Sequence, residues 1–185
     1  MLKIDLVIDK LINEIYTKSK DYLSLIIDEN ARVENYFSVI FLGKLDNLKK
    51  DNLISNYKFQ HLVTENKRNH IDLFITIGDK SCLIEIKHLA IANELKLKNR
   101  RNLNFYTSFS DSGKKVGIIG DIEKLEKLKT NKFCTKFSLA IITNPPSKEK
   151  INKKLEEIKK EYNNWEFNYE DRKELKIGFI ISKMF

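Results

Sequence analysis

The sequence predicts an α/β fold in which helices flank a central mixed β-sheet, and three observations lead to this prediction. Apolar residues recur at helical spacing near the start of the chain. Two alternating apolar stretches within residues 70–88 have the pattern of a β-hairpin. Helical and strand-like segments then alternate through the rest of the chain. The expected order is helix, helix, three strands, helix, strand, helix and strand, which is an α/β arrangement.

Four segments have the apolar periodicity of amphipathic helices. Residues 4–15 place Ile, Val and Leu side chains at intervals of three and four. Residues 33–48 repeat this pattern after a "DEN" triplet, which offers capping side chains. A shorter helix is expected over residues 120–129, with Asp121 as its N-cap. The stretch 147–162 predicts a fourth helix, with apolar residues along one side and a solvated face of mixed charges along the other.

Five segments have the character of strands. A first strand is expected at residues 57–65, and the hairpin supplies the second and third strands around a Gly78-Asp79-Lys80 turn. Residues 136–144 are an apolar run that ends at a pair of prolines, and residues 174–185 form the last strand. The intervening stretch 89–115 has a partly helical pattern and ends in a polar loop.

Length and composition predict a single globular domain over residues 1–185. Apolar residues make up 42% and charged residues 32% of the chain, which is typical of soluble proteins. No apolar run approaches the roughly 20 residues that span a bilayer, and the first residues lack the apolar stretch of a signal peptide. Cys82 and Cys134 are far apart in apolar segments, as expected of buried free thiols in a reducing cytoplasm. A cytoplasmic protein without a membrane partner is expected.

The net charge of +8 is compatible with a polyanionic partner, and nucleic acid is the most natural one. The basic residues are mostly lysine, in a chain that is also rich in Asn and Ile. This composition is equally expected of an AT-rich coding sequence. The charge alone therefore does not decide the partner.

Three charged residues interrupt the hairpin: Asp72, Glu85 and Lys87. Side chains alternate across a strand, so Glu85 and Lys87 share one face of the second hairpin strand. Directly opposed residues of an antiparallel pair point the same way. If the two all-apolar faces coincide, only two registers remain, with Asp72 opposite either Glu85 or Lys87. Both registers bring the three charges to one end of one face, where two carboxylates can hold a divalent cation beside an ammonium group.

An ordinary amphipathic hairpin also carries polar residues at every second position, so the pattern is compatible with a plain surface hairpin. Two features favour a cleft instead. Phe74 and Leu83 interrupt the polar face, which predicts that this face is covered near the turn and open at its charged end. Glu34 borders the apolar stripe of the second helix, where a carboxylate needs a partner. An acid in the first turn of a helix is also favoured by the helix dipole, so both readings of Glu34 stay open.

With these residues in this order, the sequence resembles the PD-(D/E)XK nuclease superfamily, whose members have the restriction-endonuclease-like fold. The motif of that family is an acid on the second core strand followed by (Asp/Glu)-x-Lys on the third. In this chain the acid is Asp72 in "HIDLF", and the triplet is Glu85-Ile86-Lys87 in "LIEIKH". Many members add a glutamate from the first core helix, and Glu34 matches that position. The stretches "GDIEKLEKLK" and "KFSLAIITNPP" are similar to the helix and strand that follow the motif in bacterial members.

This resemblance implies a Mg²⁺-dependent endonuclease that hydrolyses phosphodiester bonds, with Mn²⁺ as an alternative metal and DNA expected ahead of RNA. Asp72, Glu85 and the carbonyl group of Ile86 are expected to bind the metal, because oxygen ligands suit Mg²⁺. Lys87 is expected to orient or deprotonate the attacking water. Glu34 is expected to complete a second metal site or to hold a water of the metal. The implied setting is restriction, defence or a mobile element, and the sequence leaves open whether two copies form a homodimer.

Further residues are candidates for binding nucleic acid. The stretch "KLKNRRNLNFYTSF" interleaves basic and aromatic residues that can grip phosphates and stack bases, although its aromatic residues are equally suited to a core. The hairpin ends in histidines that can touch substrate phosphate or simply lie on the surface. A second hypothesis is a catalytically silent nuclease-fold protein that serves as a nucleic-acid-binding or protein-interaction subunit. The candidates are Lys98, Arg100, Arg101, His70 and His88.

Overall fold

The fold is α/β, as the sequence predicts, and combines a six-stranded mixed sheet with four helices among the described residues. It was obtained as a computed structural model, which describes residues 3–18, 33–62, 70–90, 108–109, 115–130, 133–143, 145–172 and 177–184. The helices are α1 (Lys3–Lys18), α2 (Val33–Lys50), α3 (Gly117–Lys127) and α4 (Lys148–Glu161). The strands are β1 (Asn56–Leu62), β2 (His70–Ile77), β3 (Lys80–Ala90), β4 (Ser108–Phe109), β5 (Lys115–Val116), β6 (Cys134–Thr143), β7 (Trp165–Arg172) and β8 (Ile177–Met184).

The strands of the main sheet follow the order β1-β2-β3-β6-β8-β7, and β4 pairs with β5 in a separate two-stranded ribbon. The chain divides into two compact units. The first is drawn from Met1–Ile84 and Thr130–Thr135, and the second from Glu85–Lys129 and Lys136–Phe185. The division falls within β3, between Ile84 and Glu85.

The two N-terminal helices of the first unit form where the apolar periodicity predicts them. Helix α1 packs against α2, and the Lys44 ammonium lies 2.9 Å from the Glu14 carboxylate across this contact. Burying each large apolar side chain contributes roughly 1.5–3 kcal/mol, so this helix pair is a main source of stability in the unit. Its buried apolar residues are Ile4, Val7, Ile8, Leu11, Ile12, Ile15, Tyr16, Phe37, Phe41, Leu45 and Leu48.

The hairpin of β2 and β3 is confirmed, with a tighter turn than the sequence predicts. Ile77 pairs with Lys80, so the turn consists of Gly78 and Asp79 alone, and Lys80 belongs to the strand. Gly78 has a φ of 61°, which a two-residue turn with glycine in its first position requires. The paired residues run from Ile77 with Lys80 to Leu73 with Ile84. This is the first of the two predicted registers, and the pairs end one residue short of Asp72 and Glu85.

Helix α3 of the second unit begins one turn earlier than the sequence predicts. The helix starts at Gly117, so Asp121 lies inside it and its predicted role as N-cap is wrong. The physical reason is burial, because Ile118 and Ile119 are 0% and 5% exposed and extend the apolar side of the helix. The predicted inward residues Ile122 and Leu125 are both fully buried.

Strand β7 is absent from the predicted order of elements, and it pairs with β8 along its whole length. The sequence carries a signal for this strand, because aromatic residues alternate with polar ones from Trp165 through Phe167 to Tyr169. In the structure Trp165 and Tyr169 are buried, while Glu166 and Asn168 between them are exposed. Alternation of aromatic and polar residues is therefore a signal for a strand here, as alternation of aliphatic and polar residues is elsewhere.

The two cysteines are free thiols, as predicted. Cys82 is buried in β3, whereas Cys134 at the start of β6 is only partly buried. In the part of the chain that the structure describes, none of the helices has the length and apolar character needed to cross a membrane.

In the second unit, Gly178 of β8 packs closely against Tyr169 of β7. A Cβ atom at residue 178 would lie 2.6 Å from Tyr169 Oη and 2.7 Å from Tyr169 Cε2. Because Tyr169 is itself buried, its ring cannot simply swing into solvent. We therefore expect the Gly178→Ala substitution to lower the free energy of unfolding by about 1–3 kcal/mol in urea denaturation.

Gly43 in α2 supplies the matched control. A Cβ atom at this position meets nothing within 4 Å. Since alanine is the better helix former, Gly43→Ala is expected to raise the free energy of unfolding by about 0.5–1 kcal/mol. If Gly178→Ala were as stable as Gly43→Ala, the close packing of Tyr169 on Gly178 would be wrong.

Candidate active site

The residues that the sequence proposes for a site are divided between the two units. Asp72 lies on β2 in the first unit, and the triplet Glu85-Ile86-Lys87 lies on β3 in the second. Glu34 lies in the first turn of α2, and its side chain is outside the described part of the structure. Lys98, Arg100 and Arg101 also lie outside the described residues. The convergence of the three carboxylates with Lys87 therefore stays a prediction.

Glu85 is a buried carboxylate in the middle of a strand. The residue is 4% exposed, and its neighbours Ile84 and Ile86 are also buried, so both faces of β3 are covered here. Burying an ionised carboxylate is costly unless a cation and hydrogen bonds compensate for the lost water. The Lys124 ammonium of α3 provides such compensation, with its Nζ 2.6 Å from Glu85 Oε1. A charge-assisted hydrogen bond of this length belongs to the strong class.

Two neighbours of Lys124 fix the position of α3. The Tyr162 hydroxyl group donates to Glu123 Oε1 at 3.0 Å, and the Trp165 indole nitrogen donates to Glu126 Oε1 at 3.0 Å. Tyr162 and Trp165 are themselves buried, so these two hydrogen bonds join α3 to buried side chains. Lys124 lies between Glu123 and Glu126 in the sequence of α3, and its ammonium group contacts Glu85.

Asp72 is half-buried on β2, and the neighbouring strand β1 contributes one of its hydrogen-bond donors. Gln60 of β1 donates from Nε2 to Asp72 Oδ1 at 3.1 Å. The neutral amide orients the carboxylate without bringing a charge of its own. Neither Gln60 nor Lys124 is among the residues that the sequence singles out. The sequence around a lysine in a mixed-charge helix, or around a glutamine in a strand, does not predict which residue that side chain will contact.

An aromatic pair lies beside Asp72 on the first unit. The His61 ring of β1 stacks on the Phe74 ring of β2, with 4.4 Å between ring centroids and 18° between ring planes. Burial lowers the pKa of His61 below its ordinary value of 6.5, and the nearby charge of Lys58 lowers it further. The lowered pKa favours the neutral form of the His61 ring at neutral pH. The unfolded chain binds a proton at this histidine at a higher pH than the folded chain does. The contribution of His61 to the free energy of unfolding is therefore complete above pH 6.5 and declines as the pH falls.

The two histidines at the ends of the hairpin are both half-buried. His70 Nδ1 lies 3.1 Å from the carbonyl oxygen of Gln60. Because a carbonyl oxygen only accepts, this contact requires the tautomer that carries its proton on Nδ1. His70 thus has a structural contact within the sheet, and any contact of His70 or His88 with substrate stays a prediction.

The donor chemistry of the acids suits a hard cation. Among the residues that the structure describes, no three His, Cys, Asp or Glu side chains are grouped to hold a metal. Mg²⁺ commonly binds through one or two protein carboxylates and completes its octahedron with water and substrate phosphate oxygens. Asp72 in the first unit and Glu85 in the second each carry a carboxylate, and the backbone of Ile86 carries a carbonyl group, so each of these residues has a donor type that suits Mg²⁺.

Comparisons of this chain with protein-family models, with curated proteins and with solved structures found no match. Its chemistry is therefore inferred from its own residues. The first unit carries a half-buried carboxylate, Asp72, that is hydrogen-bonded to an amide. The second unit carries a buried carboxylate, Glu85, that is paired with a lysine, and the half-buried Lys87 on the same strand.

Proposed function

We propose that this chain is a Mg²⁺-dependent endonuclease of the PD-(D/E)XK type, with a restriction-endonuclease-like core, that hydrolyses phosphodiester bonds in DNA in preference to RNA. The observation that carries the proposal is the burial of Glu85. The water-facing side of a plain hairpin would leave this glutamate exposed, whereas it is 4% exposed and hydrogen-bonded to a lysine. A desolvated carboxylate with a specific charged partner is a candidate for a functional site.

The order of elements around the motif supports the same proposal. The acid Asp72 lies on the second strand of the sheet and the Glu85-Ile86-Lys87 triplet on the third, with helix α2 before them. Helix α3 and strand β6 follow, as in the family that the sequence resembles. Within the first unit the register between β2 and β3 pairs Leu73 with Ile84, and this is one of the two registers that the all-apolar face of the hairpin allows.

Each residue of the motif has a role in this proposal. Asp72, Glu85 and the carbonyl group of Ile86 bind the metal. When bound, Mg²⁺ neutralises charge at the scissile phosphodiester. Lys87 orients the attacking water, and its ammonium charge stabilises the negative charge that develops on the phosphate oxygens. Glu34 holds a second metal or an ordered water.

Residues outside the motif would bind the nucleic acid backbone. Five basic or histidine side chains are proposed to contact phosphates. Such contacts fix the register of the substrate without reading its sequence. The residues are His70, His88, Lys98, Arg100 and Arg101.

One observation favours a different function. Lys124 already compensates the Glu85 carboxylate with a cation from the protein itself, so burial of Glu85 does not require a metal. A protein that keeps this fold as a scaffold, and serves as a nucleic-acid-binding or protein-interaction subunit, is therefore the alternative. The two functions differ in whether the chain binds divalent ions.

A titration with Mn²⁺ separates the two functions. The purified full chain is expected to bind Mn²⁺ in isothermal titration calorimetry and to cut plasmid DNA when Mg²⁺ is added. Asp72→Asn, which keeps the shape of the side chain and removes its charge, is expected to weaken Mn²⁺ binding by at least about tenfold.

The matched control is Asp79→Asn in the hairpin turn, where the aspartate is exposed and has the same charge. Its Mn²⁺ affinity is expected to equal that of the wild type. A wild-type chain that binds no divalent ion would leave the scaffold function as the better account.

A further inference from the structure

Gln60 and Asp72 form a cross-strand pair within the first unit. Strands β1 and β2 are antiparallel, with Phe59 paired to Leu73 and His61 paired to Ile71. Gln60 therefore stands opposite Asp72, and directly opposed residues of such a pair are close enough to interact. The bond from Gln60 Nε2 to Asp72 Oδ1, at 3.1 Å, joins their side chains.

The backbone of Gln60 is left-handed, which is rare for a non-glycine residue in a strand. Its φ is 49°, a conformation that costs a side-chain-bearing residue on the order of 1–2 kcal/mol. Such conformations persist only where the surrounding structure holds them, and they are frequent at functional sites. Here the carbonyl oxygen of the same residue accepts a hydrogen bond from His70 Nδ1, which helps to hold it.

The left-handed conformation of Gln60 changes which face of β2 the side chains of Gln60 and His61 contact. In a regular strand, Gln60 and His61 would point to opposite faces. In the structure Gln60 bonds to Asp72 while His61 stacks on Phe74, and Asp72 and Phe74 share one face of β2. Two consecutive side chains of β1 are thus brought to the face that carries Asp72.

From these observations we infer that Gln60 is a positioning residue for Asp72, an inference that rests on the proposed function of Asp72 as a metal ligand. The hydrogen bond from the Gln60 amide to one carboxylate oxygen fixes the rotation of the Asp72 carboxylate about the Cβ–Cγ bond. A cation that binds there therefore meets a carboxylate that is already oriented. Partners of this kind, which touch a ligand residue and not the metal, change metal affinity when they are removed. A neutral amide orients the carboxylate without repelling a cation and without neutralising the negative charge that attracts the cation.

The test measures Mn²⁺ affinity and stability on the same full-chain variants. Gln60→Gly removes the amide but accepts the left-handed backbone, because glycine has no Cβ atom to clash. Gln60→Ala removes the amide and keeps the unfavourable conformation. Both variants are expected to bind Mn²⁺ on the order of tenfold more weakly than the wild type in isothermal titration calorimetry. In urea denaturation, Gln60→Gly is expected to be at least as stable as Gln60→Ala.

His61→Phe is the control, since it preserves a ring for the stack on Phe74 and leaves the amide of Gln60 in place. This variant is expected to bind Mn²⁺ like the wild type. Wild-type affinity in Gln60→Gly, together with lost affinity in Asp72→Asn, would overturn the positioning role alone. Absence of Mn²⁺ binding by the wild type itself would overturn the proposed function and the positioning role together.

Discussion

The Lys87→Ala variant is expected to lose DNA cleavage by about 10²–10⁴-fold while it still binds Mn²⁺. The reason is a division of roles on one strand. Glu85 is buried, whereas Lys87 is half-buried two residues further along the same strand. In the proposed mechanism Glu85 binds the metal, and the Lys87 ammonium orients the attacking water and stabilises the charge on the phosphate oxygens. Removing the ammonium leaves the proposed ligands in place, so turnover falls and the metal affinity remains.

A cleavage assay at saturating Mg²⁺ measures this loss, because saturation excludes a difference in metal occupancy. The matched control is Lys183→Ala on β8, which removes the same charge from another half-buried strand lysine, one that lies 5.7 Å from the Phe137 ring centroid. Cleavage by this control at the wild-type rate, together with the expected loss of rate in Lys87→Ala, assigns the effect to the motif. Equal rates for the two variants would remove Lys87 from the mechanism.

The features that the sequence predicts well are those set by local patterning. The apolar face of the hairpin limits its register to two alternatives, because slipping by one residue would expose every buried side chain of β2. One of the two registers is observed. Helices α1 and α2 follow in the same way from their apolar stripes. Strand β7, which the predicted order of elements lacks, has an equally local signal in its alternating aromatic residues.

The surroundings of the two acids depend on the tertiary structure and have no local signal. Lys124 is 39 residues from Glu85 along the chain, and nothing in "EKLEK" distinguishes it from the neighbouring lysine of the same helix. Gln60 is 12 residues from Asp72, and its left-handed backbone runs against the extended conformation that a strand pattern predicts. Both partners follow from how helices and strands pack, which hydrophobic periodicity alone does not specify.

Removal of the Lys124 charge is expected to have the largest effect on stability. The Lys124→Met variant keeps the length of the aliphatic stem but withdraws a cation from a carboxylate whose side chain is only 5% exposed. Breaking a buried ion pair from one side is strongly destabilising, and the partial exposure of the lysine, 36%, moderates this effect. We expect the free energy of unfolding to fall by about 2–3 kcal/mol at pH 7 in urea denaturation.

A double-mutant cycle isolates this interaction from other effects of the substitution. Glu85→Gln alone leaves a lysine that can turn to solvent, and the pair Lys124→Met with Glu85→Gln contains no buried charge at either position. The double variant is therefore expected to be more stable than Lys124→Met alone, because the carboxylate that lost its cation is gone. Lys127→Met, an exposed position on the same helix, is the control and is expected to change stability by less than about 0.5 kcal/mol.

The same variants connect the stability of the site to its proposed metal. A divalent ion bound at Glu85 would supply the charge that Lys124→Met lacks, and a ligand that binds only the folded state stabilises it. Millimolar Mn²⁺ is therefore expected to restore stability to Lys124→Met and to have no such effect on the double variant, in which the side chain at position 85 is a neutral amide. Equal responses of the two variants to Mn²⁺ would mean that the ion binds elsewhere and that Glu85 serves only as the partner of Lys124.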